Sequence, residues 1–251
     1  MLELKNISVG YGNKIVIKNV TTFFEKGKLT SIIGVNGCGK STLLKAILGI
    51  LPLSDGEIVI DGNVIGELSR NDISKKIAYL AQGKNTPDMT VEQMVLHGRF
   101  PYLSYPRCYR EADREIARKA METVGILHLA DKPLCELSGG MQQTAFIAMA
   151  LAQDTDYILL DEPTTHLDIA HQLDLMRLLR GLANSGKGII TVMHDLPLSF
   201  DFSDELALIH NGNIVVKNTP NNICGSSIIK EIFDISIERM DNDQFYYQFH
   251  K

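Results

Sequence analysis

The chain has 251 residues, enough for one large domain or two small ones and for a core that needs no disulfide staples. Apolar residues make up 45% and charged residues 22%, which excludes a disordered chain. With 25 Lys and Arg against 30 Asp and Glu the net charge is −5, so the global basic footprint of a nucleic-acid binder is missing.

In chain order, Leu2, Leu4 and Ile7 lead to a Gly10-Tyr11-Gly12-Asn13 turn, and Ile15, Val16, Ile17 and Val20 continue as a second strand. Leu29 to Ile33 is a short apolar strand that runs into a glycine-rich loop, and Ser41 to Leu48 follows with helical spacing. Pro52, Asp55 and Gly56 mark turns, Glu57 to Gly62 is a strand ending in an Asp-Gly turn, and Ile77 to Leu80 is a strand that stops near Gln82. Residues 84 to about 152 are helix-rich, with Ile116, Ala120, Val124 and Leu127 on one helical stripe. From Tyr157 an α/β rhythm returns. Ile158 to Leu160 is a buried-type strand, His171 to Ala183 an amphipathic helix, and Gly188 to Met193 and Leu206 to His210 are further strands. Residues 226–251 read as a short helix and a strand-like tail. An α/β core interrupted by a helical insertion is the expected architecture.

No apolar run approaches the ~20 residues of a membrane helix. Met1 to Lys5 lacks the basic and apolar regions of a signal peptide, which points to the cytoplasm. Cys38, Cys108, Cys135 and Cys224 form no C-x-x-C pair and are expected to be reduced thiols. Histidines 97, 128, 210 and 250 show no ligand spacing.

Gly34-Val35-Asn36-Gly37-Cys38-Gly39-Lys40-Ser41-Thr42 fits G-x-x-x-x-G-K-[ST] between a strand and a helix, the context that pattern requires. Glycines let the backbone approach phosphates, loop amides and a helix N-terminus supply partial positive charge, and Lys40 adds a full one. The Ser41 hydroxyl suits Mg²⁺, and Thr42 is placed to reach the α-phosphate region. A helix N-terminus is also expected to acidify the Cys38 thiol, so that alkylation there blocks nucleotide binding and ATP protects. Tyr157 to Leu160 is an apolar strand ending in two carboxylates. Asp161 suits water-mediated Mg²⁺ ligation, and Glu162 suits polarising an attacking water. Gln82 and His194 each end a strand; alone they read as structural residues, but in this order Gln82 suits Mg²⁺ or the water and His194 the γ-phosphate.

Leu137-Ser138-Gly139-Gly140-Met141-Gln142-Gln143 resembles the LSGGQ signature of ABC-type ATPases. The order Tyr11, Gly34 to Thr42, Gln82, Leu137 to Gln143, Tyr157 to Glu162, His166-Leu167-Asp168, His194 matches that family over roughly residues 1–225. The resemblance implies a RecA-like P-loop core with an antiparallel β-subdomain and a helical subdomain. Residues 1–251 would then be a single nucleotide-binding domain, with the helical subdomain at about 84–152 and a short extension at 226–251.

It also implies a homodimer in which each ATP lies between the phosphate loop of one copy and Ser138, Gly139 and Gly140 of the other. Tyr11 would stack on adenine and Asp168 would couple the two sites. Met141, Thr144 and Val35 depart from the usual Gln, Arg and Pro. Met141 cannot donate a hydrogen bond, so the signature contact rests on Ser138 and backbone amides.

Gly98-Arg99-Phe100-Pro101-Tyr102 resembles a G-R-x-P-Y segment of importers for iron-siderophores, haem and cobalamin, and Asp161 to Gln172 is similar to the same subfamily. That implies an ATP-hydrolysing subunit beneath an integral membrane permease, peripheral on the cytoplasmic face and served indirectly by an extracellular substrate-binding protein. The permease would seat a short helix near Arg99 and Tyr102. The alternatives are a soluble ABC ATPase of iron–sulfur cluster assembly, disfavoured by the G-R-x-P-Y match, and a DNA-repair or translation factor, disfavoured by the charge and by the lack of a coiled-coil insertion.

Overall fold

The computed structural model describes residues 1–83, 86–239 and 245–249. Lys84, the expected start of the helical region, and His250 lie outside the described residues. The first part of the chain forms β1 (Leu2–Tyr11), β2 (Lys14–Phe24), β3 (Leu29–Ile33), α1 (Lys40–Ile47), β4 (Leu53–Ile60), β5 (Asn63–Val64), α2 (Arg70–Ser74) and β6 (Ile77–Leu80). The helical region holds α3 (Val91–Leu96), α4 (Glu111–Thr123) and α5 (Gly139–Ala152). The rest forms β7 (Tyr157–Asp161), α6 (Ile169–Asn184), β8 (Gly188–Val192), α7 (Leu196–Phe202), β9 (Glu205–His210), β10 (Asn213–Asn218), α8 (Pro220–Ile223), α9 (Ser227–Phe233), β11 (Ile235–Arg239) and β12 (Phe245–Phe249).

Two sheets carry the core. One runs β2-β1-β4-β5 with antiparallel pairing; the other runs β10-β9-β3-β8-β7-β6. Within the second sheet β9, β3, β8, β7 and β6 are parallel, and β10 closes one edge antiparallel. Every residue of β3, β7 and β8 is buried, as expected where helices cover both faces of a parallel sheet. The register pairs Ile32 and Asp161 with the same residue, Val192. The carboxyl ends of β3, β7 and β8 therefore finish level, and the loops leaving them converge on one rim. Such a rim is where open α/β sheets bind ligands.

One local reading of the sequence is corrected. Asp55 and Gly56 do not form a free turn; they lie inside β4, where the pairing with β1 shifts register. Gly56 adopts φ 81°, and a Cβ there would sit 2.4 Å from the carbonyl oxygens of Lys5 and Asn6, so the bulge depends on glycine. In the segment expected to lie near the permease, Arg99 turns inward and Tyr102 stays exposed. Arg99 is buried, pairs with Asp113 of α4 at 3.1 Å, and donates to the Ala152 carbonyl at the end of α5 at 2.9 Å. Its guanidinium lies 4.0 Å from the ring centroid of Tyr102, whose hydroxyl donates to the Gln153 carbonyl. Arg99 thus pins α4 to α5. Phe100, Tyr102 and Tyr105 are the exposed aromatics of this segment.

Candidate active site

The phosphate loop is shaped by backbone constraints before any side chain acts. Gly34, Gly37 and Gly39 adopt φ 157°, 76° and 113°. A Cβ on Gly34 would lie 2.4 Å from the Ile209 carbonyl, and one on Gly39 would lie 2.6 Å from Cδ1 of Ile17. The loop is thereby pressed between β9 and β2, with α1 starting directly after it. Lys40 is buried and donates to the carbonyls of Gly34 at 2.7 Å and Val35 at 3.2 Å, which holds its ammonium inside the loop. Val35 contributes here through its backbone alone.

Cys38 is buried, and desolvation pushes its thiol up despite the nearby Lys40 charge. The expectation of an acidified, readily alkylated Cys38 is therefore overturned, because burial outweighs the helix N-terminus.

Ser41, at the start of α1, donates to Asp161 Oδ1 at 3.1 Å. Burial is the main cause that raises the Asp161 carboxyl, and the adjacent Glu162 charge adds to it. Tyr79, on β6, also donates to Asp161; its own phenol is pushed up to about 12 by desolvation and by that carboxylate. Glu162 follows with φ 52° while its N–H donates to the Val192 carbonyl at 3.1 Å. Among the described non-glycine residues with positive φ, all are Asn or Asp except Glu162 and His166, and those two flank one loop. Strain of this kind persists where surrounding contacts over-determine a residue, and it gathers at functional sites. Here the contacts are visible. Glu162 Oε2 accepts from the Gln82 amide and from Thr165 Oγ1 at 3.3 Å, and Oε1 meets His194 Nε2.

Tyr11, Lys14, Lys40, Ser41, Gln82 and Glu162 line a single open cavity of about 800 Å³, together with Asn36, Gly37, Gly39, Thr42, Thr165 and His194. Ten sequence-predicted residues are thus brought together. Ser138, Gly139 and Gly140 line none of that cavity. Ser138 is the N-cap of α5 and accepts from the Met141 N–H at 3.3 Å, so the signature does begin a helix, outside the lining of that cavity. Asp168 caps α6 by accepting from the His171 N–H at 2.9 Å. Sequence reasoning missed Tyr79, Thr165 and His171. Tyr79 was detectable as the half-buried member of an otherwise apolar β6; Thr165 and His171 carry no signal short of the folded loop.

The chain resembles known proteins throughout its length. The ABC transporter family model matches residues 17–165. The iron(3+)-hydroxamate import ATP-binding protein of Bacillus subtilis (strain 168) is 38% identical over 239 residues, covering 94% of this chain and 89% of the relative. Among solved structures, a metal-chelate-type ABC transporter in an inward-facing conformation superposes with a TM-score of 0.84 at 26% identity, covering 99% of this chain and 96% of the other. A dimeric ATP-binding cassette holding ADP and phosphate superposes with a TM-score of 0.74 at 28% identity over 88% of this chain and 99% of that one. With a strained glutamate held at the mouth of a phosphate loop and a family match that spans the phosphate loop, the signature and that glutamate, the chain belongs to the ABC transporter family and is one of its ATPases.

Proposed function

We propose that the chain hydrolyses ATP with Glu162 as general base and drives import of a metal chelate, an iron-siderophore or haem, or of cobalamin. The observation that carries the hydrolytic reading is the Glu162 carboxylate gripped by Gln82, His194 and Thr165 beside the phosphate loop. Tyr11 stacks on adenine, and the Gly34–Thr42 loop wraps the phosphates with amides from Asn36, Gly37, Cys38 and Gly39. Lys40 exchanges its loop carbonyls for phosphate oxygens, and Thr42 reaches the α-phosphate region. Glu162 takes the proton of the attacking water, and His194 orients the γ-phosphate against it. A general base of this kind contributes about 10²- to 10⁴-fold to rate.

The oxygens of Ser41, Asp161 and Gln82 suit Mg²⁺, a hard cation that prefers oxygen donors, and the Ser41–Asp161 hydrogen bond shows two of them already adjacent. Mg²⁺ supplies charge neutralisation at the β- and γ-phosphates.

Ser138, Gly139 and Gly140 do not line the cavity of their own chain, which supports the reading that the Ser138 hydroxyl and the amides of Gly139 and Gly140 serve a second copy. ATP bridges the two chains as a homodimer, and hydrolysis releases them. Residues 1–251 form one nucleotide-binding domain with a helical subdomain at about 84–152 and an extension at 226–251. The dimer sits on the cytoplasmic face of the membrane beneath a permease, which a substrate-binding protein supplies from outside. No helix among the described residues is long and apolar enough to cross a membrane itself. The cargo reading is supported by the siderophore and iron-hydroxamate importers among the relatives. Iron–sulfur cluster assembly has no matching support.

The experiment is uptake of a labelled ferric hydroxamate by cells whose own copy is replaced by wild type or by Glu162→Gln. Loss of uptake with Glu162→Gln is expected; unchanged uptake rejects the import reading.

A further inference from the structure

The signature helix and the loop that follows Glu162 meet at one point. A Cβ on Gly140 would lie 2.3 Å from Cδ2 and 2.9 Å from Nε2 of His171, so the imidazole fills the space that a side chain at position 140 needs. Asp168 orients the ring. Its Nδ1 sits 2.8 Å from both carboxylate oxygens of Asp168, and Asp168 also accepts the His171 N–H. The loop behind Asp168 is braced in turn. Gln172 Nε2 donates to the carbonyls of Thr164 at 3.2 Å and Leu167 at 3.1 Å, and Thr165 reaches back to Glu162. On the signature side, Thr144 Oγ1 donates to the Gly140 carbonyl at 3.0 Å and fixes the first turn of α5. A rigid segment from Glu162 to His171 therefore ends against the first turn of the signature helix.

We propose that His171 is a positioning residue: held by Asp168, its ring sets the first turn of α5, and so Ser138, Gly139 and Gly140, against the hydrolytic segment of the same chain. Glycine at 140 is then required by this contact within the chain. A shift of the Glu162 loop moves the signature with it, so the state of one site reaches the signature that serves the other. The proposal rests on the reading that this signature faces the ATP of a second copy.

A double-mutant cycle on the full-length chain tests it, with phosphate release at saturating MgATP and ATP affinity as readouts. Gly140→Ala is expected to lower kcat about tenfold or more with ATP affinity unchanged, because the methyl group displaces the ring. Adding His171→Ala removes the collision and is expected to bring kcat to within about threefold of His171→Ala alone, a strongly non-additive result. His171→Asn, shorter but still able to meet Asp168, should rescue Gly140→Ala as well. A double variant as slow as Gly140→Ala overturns the proposal.

If Gly140→Ala does not fold, His171→Ala alone decides: a lowered kcat with unchanged ATP affinity supports the latch, and an unchanged kcat rejects it. Ser138→Asn separates the two readings. If it leaves kcat untouched, the trans signature reading fails; if it lowers kcat while positions 140 and 171 prove independent, only the latch fails.

Discussion

The nucleotide cavity and the signature differ in how much of their chemistry one chain can complete. In the cavity, residues from β1, the phosphate loop, the ends of β6 and β7, and the loop after β8 converge, and the side chains of Lys40, Ser41, Gln82, Glu162 and His194 already have partners within the chain. The signature presents exposed Ser138 and Gly139 at the start of α5, and neither lines the cavity. The difference follows from topology. Parallel strands with level carboxyl ends deliver their loops to one rim, whereas α5 belongs to a helical layer that is pinned at its far end by Arg99. On the proposed reading, one chain suffices to bind ATP, and hydrolysis needs a second.

The largest effect should come from Glu162→Gln, which keeps an amide where the carboxylate was. It should lower turnover by about 10³-fold while ATP affinity stays unchanged, as read by phosphate release and nucleotide titration. Comparable loss of affinity would mean that the carboxylate serves binding instead.

Next is Arg99→Ala, which strands the Asp113 carboxylate between α4 and α5. A cost of about 3 kcal/mol in unfolding free energy is expected in denaturant titration, because breaking a buried pair leaves an uncompensated charge. A cost below about 1 kcal/mol, the value of an exposed pair, would show that Arg99 does not anchor the helical layer.

Ser138→Asn and Tyr11→Ala divide the two regions directly. Asn retains an N-cap oxygen for α5 but puts a bulkier amide where the hydroxyl stands. It should slow turnover about tenfold without weakening ATP binding. Loss of the Tyr11 ring should instead weaken binding by about 1 kcal/mol, roughly fivefold in Kd, by isothermal titration.

The smallest effect is on stability. Burial raises the Asp161 carboxyl above its unfolded value, so its charged form is disfavoured in the folded chain. The destabilisation is absent below the unfolded pKa and grows as pH rises through the folded one. Asp161→Asn should therefore melt higher than wild type at neutral pH, and the gap should close as pH falls through the carboxylate range. An unchanged gap would locate its cause elsewhere.

Legibility in the sequence followed the same divide. Gly34 to Thr42 was readable because each fixed position answers a backbone or charge requirement local to the loop. Asp161 and Glu162 were readable because a buried strand seldom ends in two carboxylates. The burial of Arg99 was not legible because its partner Asp113 and the Ala152 carbonyl are distant in sequence, and only the packing of α4 on α5 makes the burial of a guanidinium tolerable. Cys38 was misread because helix polarity is visible in sequence and desolvation is not. His171 against Gly140 required the crossing of two helices, which no local pattern encodes.

The central claim, that one chain binds ATP and two are needed to act on it, is tested most directly by the solution mass of Glu162→Gln. Light scattering should give the mass of one chain, 27.9 kDa, without nucleotide and twice that mass with saturating MgATP. A variant saturated with ATP that still scatters as a single chain would contradict the account.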